Sequence, residues 1–108
     1  MTARNGDGGH ERRTLLEAKA RVPEHVVYRP FPNETVVLNL ETGRYHGLNP
    51  TGGRMLEALE REERVGDAVA RLADEYGAEQ SRVEDDVCAF CSDLEERGLI
   101  ELHLNGRR

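Results

Sequence analysis

Apolar and polar residues first alternate with period two at His25. Val26 and Tyr28 alternate with Val27 and Arg29 until Pro30-Phe31-Pro32 closes the run, the pattern of a short strand bounded by turn residues. Residues 35–40 repeat the alternation, with Val36, Leu38 and Leu40 on one face. Glu41-Thr42-Gly43 then reads as a short hairpin turn in which Gly43 takes a positive φ. Arg44-Tyr45-His46-Gly47-Leu48 is the returning strand. Three short strands with tight connections predict an antiparallel meander.

At Asn49-Pro50 the period changes. Asn is a favoured N-cap and Pro is tolerated at the first helical position. Met55, Leu56 and Leu59 supply the apolar face of a first helix ending near Glu62. In the second helix Val65, Ala68, Val69, Leu72, Ala73 and Tyr76 follow the 3.6-residue period, and Gly77 is its expected C′ residue. Ser81 with Glu84 matches a capping box. It opens a third helix carrying Val83, Val87, Phe90, Cys91 and Leu94 on one stripe and ending at Gly98. Leu102 and Leu104 alternate with Glu101 and His103 as a short final strand.

The pattern is therefore α+β and winged-helix-like: a three-stranded antiparallel sheet followed by three helices and a short C-terminal strand, the helices covering one sheet face. The domain is expected over residues 24–104, with a flexible arm at 1–23 and a tail at 105–108. Leu15 and Leu16 leave two options for residues 11–21, a short helix or an arm that orders only against a partner.

Charge narrows the function classes. Residues 1–22 carry five positive and three negative charges and residues 107–108 add two positive, leaving −10 on residues 23–106 of a chain whose net charge is −6. Such a body repels phosphate backbones. The third helix, where a helix-turn-helix reader would meet bases, sets Arg82 and Arg97 against Glu84, Asp85, Asp86, Asp93, Glu95 and Glu96. Nucleic acid is thus not the expected partner. No stretch approaches the roughly 18 apolar residues of a membrane span, and no apolar signal segment follows the start. With two cysteines in 108 residues, too few for a secreted disulfide scaffold, the protein is expected in the cytoplasm.

Catalytic chemistry finds little support. Cys88-Ala89-Phe90-Cys91 falls inside a predicted helix beside Asp85, Asp86 and Asp93, where carboxylates raise a thiol pKa. A redox pair instead needs a helix N-terminus. A structural zinc site needs four ligands, and His10, His25, His46 and His103 form no ligand pair. Both cysteines therefore read as packing residues, with no metal, no cofactor and no catalytic residue expected. Gly52-Gly53 at a helix start allows either anion binding or close packing on the sheet. The first strand is guarded at its edge by Pro30 and Pro32. The third has no proline, so it is either an edge kept short and charged or a place where a peptide adds as a further strand.

The stretch Leu38-Asn39-Leu40-Glu41-Thr42-Gly43-Arg44-Tyr45-His46-Gly47-Leu48-Asn49-Pro50-Thr51-Gly52 resembles the PqqD family, first known from pyrroloquinoline quinone biosynthesis. Tyr76-Gly77, the opening Val83-Glu84-x-Asp86-Val87 and the closing Leu94-x-x-x-Gly98-Leu99-Ile100 agree with it. The resemblance covers about residues 24–104 and looks most like the lasso-peptide members. It implies a non-catalytic element that binds the leader of a ribosomally made precursor peptide. The leader would add to the third strand, in a groove closed by the third helix. The implied partners are that leader and a leader peptidase, cyclase or radical enzyme of the pathway. Carried onto this chain, Arg44, Tyr45, His46 and Gly47 would pair with the leader through their backbone. Asp86, Ala89, Asp93 and Arg97 would face it from the third helix, with Phe90 at the groove margin. The alternative is an acidic winged-helix module that binds another protein and has no part in peptide modification.

Overall fold

The computed structural model describes residues 11–104. Its elements in chain order are α1 (Arg12–Glu17), β1 (Ala18–Arg21), β2 (Val26–Pro30), β3 (Thr35–Asn39), β4 (Arg44–Leu48), α2 (Pro50–Arg61), α3 (Val65–Tyr76), α4 (Gln80–Glu96) and β5 (Glu101–Leu104). The expected meander is present as an antiparallel sheet in the order β2-β3-β4. The three expected helices follow it. The C-terminal strand pairs antiparallel with β1, from Ala18 opposite Leu104 to Arg21 opposite Glu101.

That pairing corrects the expectation of a flexible arm over residues 1–23. Residues 1–10, and the tail expected at 105–108, lie outside the described residues. From Arg12 to Arg21, however, the chain is helix and strand, with Leu15, Ala18 and Ala20 buried. The burial is what orders it. Ala18 and Ala20 are small enough for β1 to lie against α2 and α3. Lys19, the single lysine of the chain, points its ammonium at the C-terminal end of α2. There it donates to the carbonyls of Leu59, Glu60 and Glu62 at 3.3, 2.8 and 2.7 Å. A cation there satisfies carbonyls that have no partner within the helix. Arg12 adds a surface link from α1 to α4 through Glu84 and Asp85.

Within the meander, the register decides which face turns inward. Thr35, Val37 and Asn39 are buried, while Val36 and Leu38 are half-buried and Leu40 is exposed. The inward face of β3 is thus not the all-apolar one. Asn39 is tolerated inside because its Oδ1 accepts from the backbone N–H groups of Glu41 and Thr42, fastening the hairpin turn. Gly43 takes φ 75° at the end of that turn, as expected from sequence. Thr35 faces α2, where Gly53 comes so close that a Cβ on Gly53 would sit 2.1 Å from the Thr35 Oγ1.

The three helices form the main core. Leu56 and Leu59 of α2, Val65, Val69 and Leu72 of α3, and Val87, Cys91 and Leu94 of α4 are almost fully buried and belong to one cluster with Val37, Leu99 and Ile100. α3 ends at a left-handed Gly77, with the Ala78 N–H bonded back to the Ala73 carbonyl. α4 ends in the same way at Gly98, with the Leu99 N–H on the Leu94 carbonyl. The start of α4 differs from the predicted capping box. Glu79 holds the N-cap position without a side-chain cap bond, and Ser81 lies inside the first turn. The backbone carbonyl of Glu79 already accepts from Arg82 and Val83, so the helix begins two residues earlier than the Ser81 signal implies.

Candidate functional site

Two elements frame a groove, a hollow of about 460 Å³ between the end of β4 and the exposed side of α4. Gly47, Leu48 and Asn49 form one wall. Asp86, Ala89, Phe90, Asp93 and Arg97 form the other, and Thr51, Gly52 and Met55 of α2 make the floor. Sequence spacing accounts for the helical wall. Residues 86, 89/90, 93 and 97 recur every three or four positions and so share a stripe. The neighbouring stripe, Val83, Val87, Cys91 and Leu94, is buried in the core.

Phe90 is half-buried and belongs to both worlds, packing on the core from its margin. Its ring can lie there because Gly52 has no side chain. A Cβ on Gly52 would stand 3.4 Å from the Phe90 Cε1 and 3.3 Å from the Asn49 Oδ1. Asn49 in turn caps α2, its Oδ1 accepting from the Gly52 N–H at 2.7 Å. Of the two readings of Gly52-Gly53, the contacts of both glycines correspond to close packing, Gly53 on the sheet and Gly52 against α4.

β4 itself is poorly covered. None of its five residues is buried, and it lies at the edge of the sheet beyond β3. Arg44, His46 and Leu48 stand opposite Asn39, Val37 and Thr35, so these three share the helix-side face. Tyr45 and Gly47, opposite Leu38 and Val36, share the outer face, where Tyr45 is 72 % exposed. A Cβ on Gly47 would meet the Glu34 carboxylate at 3.0 Å.

The nine sequence-expected site residues therefore fall into two groups. Gly47, Asp86, Ala89, Phe90, Asp93 and Arg97 meet around the groove, whereas Arg44, Tyr45 and His46 continue along the strand edge away from it. Sequence reasoning did not place Leu48, Asn49, Thr51 and Met55 in a site, and it weighed Gly52 only as half of a glycine pair that binds an anion or packs on the sheet.

The electrostatics of the groove are uneven. Arg97 Nε donates to the Asp93 carboxylate at 3.1 Å, so this acid is already paired. Asp86 makes no ion pair or hydrogen bond among the described residues, and it is exposed. The two cysteines lie behind this wall. Cys88 and Cys91 are buried free thiols. Burial pushes the Cys88 thiol up and carries Cys91 to about 12, which keeps both in the thiol form near neutral pH. Among the described residues no three His, Cys, Asp or Glu side chains gather as a metal site, and no helix is long and apolar enough to cross a membrane. What the arrangement offers is an unpaired strand edge beside a partly apolar, partly acidic trough.

The family model for coenzyme PQQ synthesis protein D (PqqD) matches residues 34–100 of the chain. Among solved structures, the chain is similar to TbiB1 in complex with the TbiA(beta) leader peptide. The two share 32 % sequence identity at a TM-score of 0.69, over 75 % of this chain and 94 % of that one. It is also similar to a lasso peptide synthetase B1 complexed with the leader peptide, with 25 % identity and a TM-score of 0.70 over 78 % and 99 % of the respective chains. No curated protein matches the chain.

Proposed function

This chain belongs to the PqqD family, and on that premise we propose that it captures the leader segment of a ribosomally made precursor peptide and presents it to a modifying enzyme or leader peptidase. The observation that carries the reading is the open edge of β4 set beside the α4 groove. An extended peptide adding to β4 gains main-chain hydrogen bonds along Arg44–Leu48, and alternate side chains turn towards Phe90, Ala89 and the two acids. The two similar structures, both named as complexes with leader peptides, support this mode and favour a lasso-peptide or related pathway.

The domain acts by tethering, in the cytoplasm, and performs no chemistry itself. Holding the leader makes the encounter between the attached core peptide and the enzyme intramolecular, at an effective concentration set by the intervening linker. Specificity comes from the side-chain pockets, since the backbone bonds are common to any extended chain. Asp86, without a partner among the described residues, favours a cationic or hydroxyl-bearing leader residue opposite it.

Proline tests the strand addition because it removes one backbone N–H and blocks pairing. N–H groups alternate in direction along a strand, so one of Tyr45→Pro and His46→Pro removes an outward N–H and leaves the β3 ladder whole. That variant, shown folded by circular dichroism, is expected to bind a synthetic leader from the neighbouring precursor gene more than tenfold more weakly, with Asp86→Ala and Asp93→Ala losing less. Binding retained in both folded proline variants would count against strand addition and favour the interaction-module alternative.

A further inference from the structure

The hydrogen-bonding direction along β4 follows from the two ends of its neighbour, β3. The Phe31 N–H bonds to the Glu34 carbonyl and the Leu40 N–H to the His25 carbonyl, each at 2.7 Å. Residues 34 and 40 thus direct their backbone groups towards β2. By alternation Val36 and Leu38 do the same, while Thr35, Val37 and Asn39 direct theirs towards β4. The Asn39 carbonyl, which accepts from the Gly43 N–H at 2.7 Å, agrees with that sense. On β4, Arg44, His46 and Leu48 stand opposite those three and use their backbone groups on β3. Tyr45 and Gly47 are left with N–H and C=O pointing off the edge, where no described strand meets them.

Gly47 differs from Tyr45 in what stands over it. Its φ is not positive, so the backbone does not demand glycine there. On the outer face the Glu34 carboxylate lies 3.0 Å from the place a Cβ on Gly47 would take. That carboxylate is exposed and makes no hydrogen bond or ion pair among the described residues. Arg29, the cation in the same cross-strand row beyond Val36, is not paired with it.

We propose that Glu34 is a specificity-determining residue, selecting a lysine or arginine at the leader position that pairs with Gly47. The inference rests on strand addition at β4 and concerns the sheet face turned away from the α4 groove. In an antiparallel pair, residues that exchange both hydrogen bonds lie about 5.5 Å apart between Cα atoms and project to the same face. A leader residue bonded to Gly47 therefore projects outward, on the face of Tyr45, and not towards Asp86 and Asp93. Gly47 puts no side chain in between, so a long basic side chain lies across it and brings its charge to Glu34. A carboxylate offers acceptors only, and an acidic leader residue at this position meets like charge. Leader residues on either side of this one face α4, so Glu34 and Asp86 read different residues.

The test uses the full chain and a fluorescein-labelled synthetic leader of the neighbouring precursor, read by anisotropy at low salt. Each residue of the added strand is replaced in turn by lysine and by glutamate. At one position the unmodified protein is expected to favour lysine over glutamate about fivefold, the scale of an exposed cross-strand ion pair. Glu34→Gln should abolish that preference and Glu34→Lys reverse it, both proteins being shown folded by circular dichroism. Positions that face α4 should keep their preferences in all three proteins, and added salt should shrink the Glu34 effect. The same preference in all three proteins would overturn the role of Glu34 while leaving strand addition intact. A change spread evenly over every scanned position would do so too, since it reports net charge alone. Failure of the unmodified leader to bind the unmodified protein would overturn strand addition and the role of Glu34 together.

Discussion

The β1–β5 ribbon and the β2–β3–β4 meander make opposite use of short strands. In the ribbon, β1 turns Ala18 and Ala20 into the core, lies against α2 and α3, and anchors Lys19 on the end of α2. In the meander, β3 is as well buried, but β4 has no buried residue and, among the described residues, no neighbour on its far edge. The ribbon closes the two termini of the domain onto its helices. β4 holds its place through β3 and its turn, leaving a row of backbone groups unsatisfied by the protein. Solvent or a peptide must satisfy them. Strands of similar length thus serve stability in one place and recognition in the other, and burial marks the difference.

Perturbations should separate these roles. The largest effect on stability is expected where the meander meets α2. Gly53→Ala forces a Cβ into the Thr35 Oγ1 and should cost about 2–3 kcal/mol by overpacking, measured by urea unfolding. Thr35→Ala in the same chain should recover part of that loss, and no recovery would place the strain elsewhere. Next comes the ribbon. Lys19→Met leaves the α2 carbonyls of Leu59, Glu60 and Glu62 without their donor and should cost about 2 kcal/mol, while leader affinity in the folded protein stays within about twofold. A large affinity loss there would break the separation of ribbon from groove.

A smaller, pH-dependent effect belongs to the buried layer behind the groove. Burial raises the Cys91 thiol from 9.0 to about 12, so the folded chain keeps a proton that the unfolded chain releases. Below pH 9 the group is protonated in both states and stability is unaffected by it. Above that, stability falls as pH rises from about 9 towards 12. Urea midpoints across that range should show the slope, flattened in Cys91→Ala; an equal slope in the variant would assign it to other groups. The smallest effect is expected at the surface. Arg12→Ala breaks its exposed pairs with Glu84 and Asp85 and should change stability by less than about 1 kcal/mol, with the difference shrinking as salt is added.

Where sequence and structure agree, the signal was local. Gly43, Gly77 and Gly98 take the positive φ that their turns and helix ends demand, and the apolar stripes of the helices match their buried faces except at Met55 and Phe90, which are half-buried, and Tyr76, which is exposed. Where they differ, the decision rests on contacts that the period of the pattern does not show. Ser81 and Glu84 match a capping pattern, but Glu79 takes the N-cap position and its backbone carbonyl accepts from Arg82 and Val83. Val36, Leu38 and Leu40 look like the core face of β3, but Thr35 and Asn39 face inward because Gly53 and the hairpin turn accept them there. The helical half of the groove was legible because helix spacing assigns residues to stripes. Its floor was not, since Thr51, Gly52 and Met55 become a site only when α2 is laid across the sheet beneath α4.

The sequence by itself determined the kinds of element from residue 26 onward, their order, and the acidic charge of the body, because periodicity, turn residues and charge are properties of neighbours along the chain. Only the tertiary structure decided that residues 12–21 join the domain, that Ala18 stands opposite Leu104, and that the β4 edge remains open beside a groove along α4. Those outcomes depend on which distant surfaces bury one another, and burial is a free energy of the whole packed chain that no local pattern carries.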